Sequence, residues 1–234
     1  MWSQEAIEKI KKRLLSLQFT DMKIKTMYEY LFLGGPFVDD DKYYRFIIVS
    51  FKKGNHKPIL KFLSELFHDS FILEIEDNYV LFYKEQQIDD IKNLMLSVME
   101  DFSLPFRVFV SSKVSSDNPK NFYLLYTAYC DFLNKDYYAF SSNKELIFET
   151  FQNSRARLKE LRPIILNNCY NDHQIVLIVE ALINNDLNIS QAANEIYLHR
   201  NTVNNKIDLV YQETQLNIKH FADVLAMYLL NLDK

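Results

Sequence analysis

The polar side chains His199, Arg200, Asn201, Thr202, Asn204, Asn205 and Lys206 crowd into one short stretch of the chain. A planar Asn amide carries a donor and an acceptor side by side and can pair bidentately with adenine, while Arg does the same with guanine. Arg, Lys and Thr also suit phosphate oxygens. This is the chemistry of recognition. A bond-making site would need a nucleophile, and none accompanies His199, which at this position could cap a helix or meet a phosphate.

Two short helices and a tight turn would position these groups. Ser190 suits an N-cap, since its hydroxyl can accept from an orphan amide of the next turn. Ala192 and Ala193 are small enough to let a second helix approach closely. Tyr197-Leu198-His199 breaks the period, and a new helix starts near Arg200 with Val203, Ile207 and Val210 on one face. The pattern is a helix-turn-helix with a polar, exposed first turn on its second helix. The competing reading is a helical hairpin with a solvated Asn-rich face.

Ile178 to Leu230 resembles the C-terminal DNA-binding domain of the PucR/CdaR family, the purine-catabolism and sugar-diacid regulators. The residues that carry the resemblance are Leu182, Asn184-Asn185, the run Asn188-Ile189-Ser190-Gln191-Ala192-Ala193 and the run Tyr197-Leu198-His199-Arg200-Asn201-Thr202-Val203. Beyond Val203 the family usually carries two arginines flanking an aromatic, where this chain has Asn204-Asn205-Lys206. The resemblance implies a sequence-specific regulator of transcription that binds double-stranded DNA as a homodimer. It does so through Ser190, His199, Arg200, Asn201, Thr202, Asn204, Asn205 and Lys206. No small-molecule effector can be named from the residues.

Charge argues for restraint in phosphate binding. The chain of 234 residues carries a formal net charge of −4. From Asp172 onward, four cations (Arg200, Lys206, Lys219, Lys234) face eight carboxylates. A DNA binder needs a local positive face even when acidic overall. The acidic region favours a rival reading, an interaction or sensor module that keeps the helix-turn-helix for dimerisation without binding DNA.

Apolar residues at 48% provide for a real core, and three Gly with 15% aromatics argue against an all-β fold. The expected class is α+β. Residues 1–40 read as N-terminal helices, an amphipathic one from Gln4 to Gln18 and a second from Met22 to Leu33 stopped by Gly34-Gly35-Pro36. Residues 41–141 alternate strand, helix, hairpin, helix, strand, helix, with a possible last strand at Tyr137–Phe140. Element order there resembles the GGDEF-like domain, a relative of the nucleotide-cyclase palm, that precedes the DNA-binding domain in the same family. Residues 142–170 read as one long connector helix, kinked or ended at Pro163, and residues 171–234 as the helix-turn-helix domain. About forty residues precede the first strand, too few for a further core.

Catalysis and metals are not expected. The hairpin tip, Glu76-Asp77-Asn78, has no glycine to let a phosphate approach the backbone, so cyclase chemistry is not expected and no cofactor is implied. The histidines are scattered without ligand spacing, and Asp39-Asp40-Asp41 lacks the glycine and glutamate of a calcium loop. The basic run Arg155-Arg157-Lys159-Arg162 could touch phosphate, though pairing with Glu149 and Glu160 on the same helix is the favoured reading. Cys130 and Cys169 read as reduced thiols. With no apolar stretch of membrane-spanning length and no signal peptide, the expectation is a soluble cytoplasmic protein.

Overall fold

The apolar run Tyr43–Phe51 becomes β1, the strand that anchors the first part of the chain. The structure is a computed structural model and describes residues 2–16, 22–38, 41–51, 56–67, 69–84, 91–102, 106–133 and 139–232. Two compact units divide the chain, Met1–Ser141 and Ser142–Lys234. The fold class is α+β.

Successive side chains of a strand point to opposite faces, and both faces of β1 are covered. Ile47 and Val49 join a core with Ile59 and Leu63 of α3 (Lys57–Leu66) and Met95 and Val98 of α4 (Ile91–Asp101). On the other side, the Phe46 ring lies 5.0 Å from Phe122 of α5 (Lys120–Leu133). That double covering is why the strand reads as a continuous apolar run without polar alternation.

The remaining strands are β2 (Phe71–Ile75), β3 (Asn78–Tyr83), β4 (Phe106–Val110), β5 (Val114–Ser115) and β6 (Phe140–Ser142). They form one sheet in the order β2-β3-β1-β4-β6, with β5 paired to β1. β1 is antiparallel to both β3 and β4. The path β1-α3-β2-β3-α4-β4 in the order 2-3-1-4 is a split βαβ arrangement. β5, two residues long, is too short to leave a period in the sequence. The last strand lies at Phe140–Ser142; Tyr137 and Tyr138, where it was expected to begin, lie outside the described residues.

The N-terminal helices are α1 (Gln4–Ser16) and α2 (Met22–Tyr28), the latter running into a π-helical turn, Glu29–Leu33. Gly34 ends it at φ +75°, a left-handed conformation that glycine adopts without a Cβ penalty. The apolar stripe of α1 is not left bare. Ile10 is buried, Trp2 lies 4.5 Å from the Phe32 ring, and Arg13 pairs with Glu74 at 2.9 Å. Leu17 and Gln18 lie outside the described residues.

In the second unit the expected single helix over 143–166 is two. α6 (Asn143–Asn153) stops at Ser154, which is extended (φ −160°, ψ 98°), and α7 (Arg155–Leu166) begins after it. The Ser154 hydroxyl accepts from the Arg157 amide at 3.3 Å. A serine that competes for backbone amides in this way opens a new helix instead of continuing the old one. Pro163 does not end α7, which runs on to Leu166. A 3-10 turn, Asn167–Cys169, follows, then α8 (His173–Asn184), α9 (Ile189–Glu195), α10 (Arg200–Thr214) and α11 (Phe221–Asn231). Residues 142–170 are therefore two helices and a turn packed into this unit, not one linking rod.

Candidate nucleic-acid interface

α9 and α10 meet through small residues. Ala192 and Ala193 are fully buried, as are Val203, Ile207 and Val210 on the inner face of α10. Ile178, Val179 and Leu182 of α8 are buried in the same unit. The apolar stripe of α10 turns its opposite face outward, so Arg200, Asn201 and Asn205 are exposed, while Thr202, Asn204 and Lys206 are half-buried.

The starts of α8, α9 and α10 are each capped by a side chain, and one cap corrects the sequence reading. Asn188, not Ser190, is the N-cap of α9: its Oδ1 accepts from the amides of Ser190 (3.1 Å) and Gln191 (3.2 Å). Asn188 holds the extended backbone that an N-cap needs, and Ser190 is already inside the first turn, exposed. His199 caps α10, its Nδ1 accepting from the Asn201 amide at 3.2 Å. That bond leaves Nε2 as the outward-facing nitrogen. Asp172 caps α8 by accepting from the Gln174 amide at 3.0 Å.

The turn before α10 holds a residue that the sequence reading did not assign to the interface. Tyr197 is 96% exposed and sits at φ +55°. The left-handed backbone closes the C-terminus of α9: the Tyr197 amide donates to the Asn194 carbonyl at 3.2 Å and the Leu198 amide to the Ala193 carbonyl at 2.9 Å. The only signal in the sequence was a tyrosine where a helix must end.

The two lysines near the interface are engaged within the unit. Lys206 pairs with Asp172 at 2.5 Å and Lys219 with Asp208 at 3.7 Å. Arg200 makes no ion pair with any described residue. In the basic run of α7, Arg162 and Arg155 make their contacts with groups other than Glu149 and Glu160. Arg162 is buried, with its guanidinium donating to Asn231 Oδ1 at 3.2 Å and lying over the Tyr170 ring; Arg155 lies over Phe151.

Among the described residues, no group of three or more His, Cys, Asp or Glu side chains could hold a metal ion. His68, Asp39 and Asp40 lie outside the described residues. Both cysteines are free thiols, and burial pushes Cys169 up to about 12. Among the described residues, no helix is long and apolar enough to cross a membrane.

Two stacked helices joined by a tight turn, with a third packed behind and the second presenting a polar first turn, define a helix-turn-helix domain. Residues 176–230 match the family model of the PucR C-terminal helix-turn-helix domain, so this chain carries a PucR-type helix-turn-helix. A domain of that kind suggests a transcriptional regulator. No curated protein matches the chain. Among solved structures, a regulator of polyketide synthase expression from Bifidobacterium adolescentis is similar, at 15% identity and a TM-score of 0.38. That match covers 99% of this chain and 93% of that one.

Proposed function

We propose that the protein is a sequence-specific regulator of transcription that binds double-stranded DNA through α10. The observation that carries this reading is the first turn of α10. Arg200 and Asn201 stand exposed there, with Asn205 one turn further on, on a helix whose opposite face is locked into the domain core. Asn201, Asn204 and Asn205 are the candidates for adenine edges. Arg200 would take guanine or phosphate, and Thr202, Ser190 and the outward nitrogen of His199 would take phosphate. A homodimer reading paired half-sites, active in the cytoplasm, fits this role. The split βαβ unit is assigned as a degenerate GGDEF-like domain without catalytic activity, because its hairpin tip offers side chains where phosphate chemistry wants glycine.

A specific observation favours a second reading, an interaction module that keeps the fold without binding DNA. Lys206 and Lys219 are already committed to Asp172 and Asp208. The salt dependence of binding separates the two. Each neutralised phosphate contributes about 0.9 to the slope of log affinity against log salt. Arg200 alone gives about −0.9 per domain and roughly −2 for a dimer. Recruiting both lysines gives roughly −3 and −6. Fluorescence anisotropy on duplexes selected from a random pool, at several salt concentrations, is the test. Selected sites should bind on the order of 10³-fold tighter than random duplex. No enrichment and no salt dependence would leave the interaction module as the better account.

A further inference from the structure

α10 presents a carboxylate on the face that Asn201 and Asn205 occupy. Successive side chains are turned by about 100° around a helix axis. With Val203, Ile207 and Val210 forming the inner stripe, Asn201, Asn205 and Asp208 fall within about 60° of one another on the opposite side. Burial follows that geometry: the three stripe residues are buried, and Asn201, Asn205 and Asp208 are exposed. At about 1.5 Å of rise per residue, Asp208 lies about 10 Å along the axis from Asn201, the length of about three base-pair steps.

A carboxylate turned toward a polyanion is repelled unless it meets a donor. Lys219, in the segment ahead of α11, stands 3.7 Å from Asp208. The two side chains are 46% and 62% exposed, so the pair is weak. At that distance it is a charge contact and not a hydrogen bond, which leaves the carboxylate oxygens their capacity to accept.

We propose that Asp208 is a further base-reading residue of α10, selecting cytosine through its N4 amino group. This rests on the reading that α10 enters the major groove. An ionised carboxylate can only accept. In that groove guanine presents two acceptors, thymine an acceptor and a methyl, and adenine an acceptor beside its amino group. Cytosine presents an amino donor alone, and so is the base whose edge matches Asp208. Lys219 offsets the charge of Asp208 against the neighbouring phosphates.

The test is selection of duplexes from a random pool by the full chain, as wild type, Asp208→Ala, Asp208→Asn and Lys219→Gln, followed by anisotropy on the selected and random duplexes. Wild-type sites should hold cytosine about three base pairs from an adenine. Asp208→Ala should lose the preference at that position alone, bind the wild-type site about tenfold more weakly and bind random duplex no worse. Asp208→Asn, whose amide donates as well as accepts, should move the preference there to adenine. Lys219→Gln should weaken selected and random duplex alike and keep the base preference. Asp208 is exposed, so its variants leave the core untouched. If Asp208→Ala selects the same sequence as wild type, or binds selected and random duplex more tightly to the same degree, the carboxylate is only a repulsive charge. That outcome overturns the assignment of Asp208 and leaves α10 as the reading helix. A wild type that enriches no sequence overturns α10 as the reading helix, and the assignment of Asp208 falls with it.

Discussion

Asp172 serves two helices with one carboxylate. It caps α8 through the Gln174 amide and holds Lys206 of α10. Burial alone would raise its pKa. The Lys206 hydrogen bond and charge, with the amides of Gln174 and Ile175, outweigh that and hold it below the ordinary 3.8. A depressed folded-state pKa means stabilisation that is present above the unfolded value and is lost as pH falls through the folded one. Asp172→Asn keeps the cap, since an amide oxygen accepts as a carboxylate does, and loses the ion pair; it should therefore lower stability at neutral pH, and the difference should shrink as pH falls below the ordinary 3.8. Urea titrations followed by helical circular dichroism across that range would show it; a constant difference at every pH would refute the assignment. The same variant releases Lys206, so its salt slope on random DNA should steepen by about 0.9 per domain. On the recognition face, Asn201→Ala or Asn205→Ala should cost about 1–3 kcal/mol at a selected site and little on random duplex. Arg200→Ala should weaken both if it holds phosphate, and only the specific complex if it reads guanine. Tyr197→Gly should stabilise the fold by about 1 kcal/mol through relief of the left-handed strain. If it also weakens DNA binding, the ring is an interface group; unchanged binding would make it a tolerated helix end.

At the scale of elements, the second unit depends on its helix starts. Asn188 and His199 each satisfy backbone amides that would otherwise face water or the neighbouring helix. Asn188→Ala and His199→Ala should each cost about 1 kcal/mol, and His199→Asn should recover most of the second loss because a side-chain oxygen can accept in place of Nδ1. Two units in one chain need not unfold in a single step. Hydrogen exchange of amides in α8, α9 and α10 is therefore the better measurement than a global melt: protection should drop in these helices, and an unchanged pattern would mean that the caps are incidental. The close approach of α9 and α10 rests on Ala192 and Ala193, both without exposed surface worth mention. Enlarging either to Leu should cost about 1–3 kcal/mol by overpacking.

For the whole molecule, the ground for expecting a dimer is the geometry of paired half-sites, in which two linked recognition helices bind far better than one. Sedimentation with and without a selected palindromic duplex should show two chains per duplex; one chain per duplex would end the dimer reading. Incubation with GTP and a divalent metal should yield no cyclic dinucleotide, and turnover above blank would overturn the assignment of a catalytically silent α/β unit.

The sequence by itself determined what short-range chemistry and periodicity decide. The helix-turn-helix was legible because Ala192-Ala193, the break at Tyr197-Leu198-His199 and the spacing of Val203, Ile207 and Val210 are local signals. The alternation of strands and helices through the first unit was legible for the same reason, with β1 announced by its unbroken apolar run. The tertiary structure decided what depends on residues far apart in the chain. Ser190 and Asn188 are both good caps, and only the backbone conformation selects between them. Ser154 competes with the helix through one hydroxyl, too weak a signal to set against a long helical pattern. Lys206 reads as a phosphate contact until a carboxylate 34 positions earlier is brought to it.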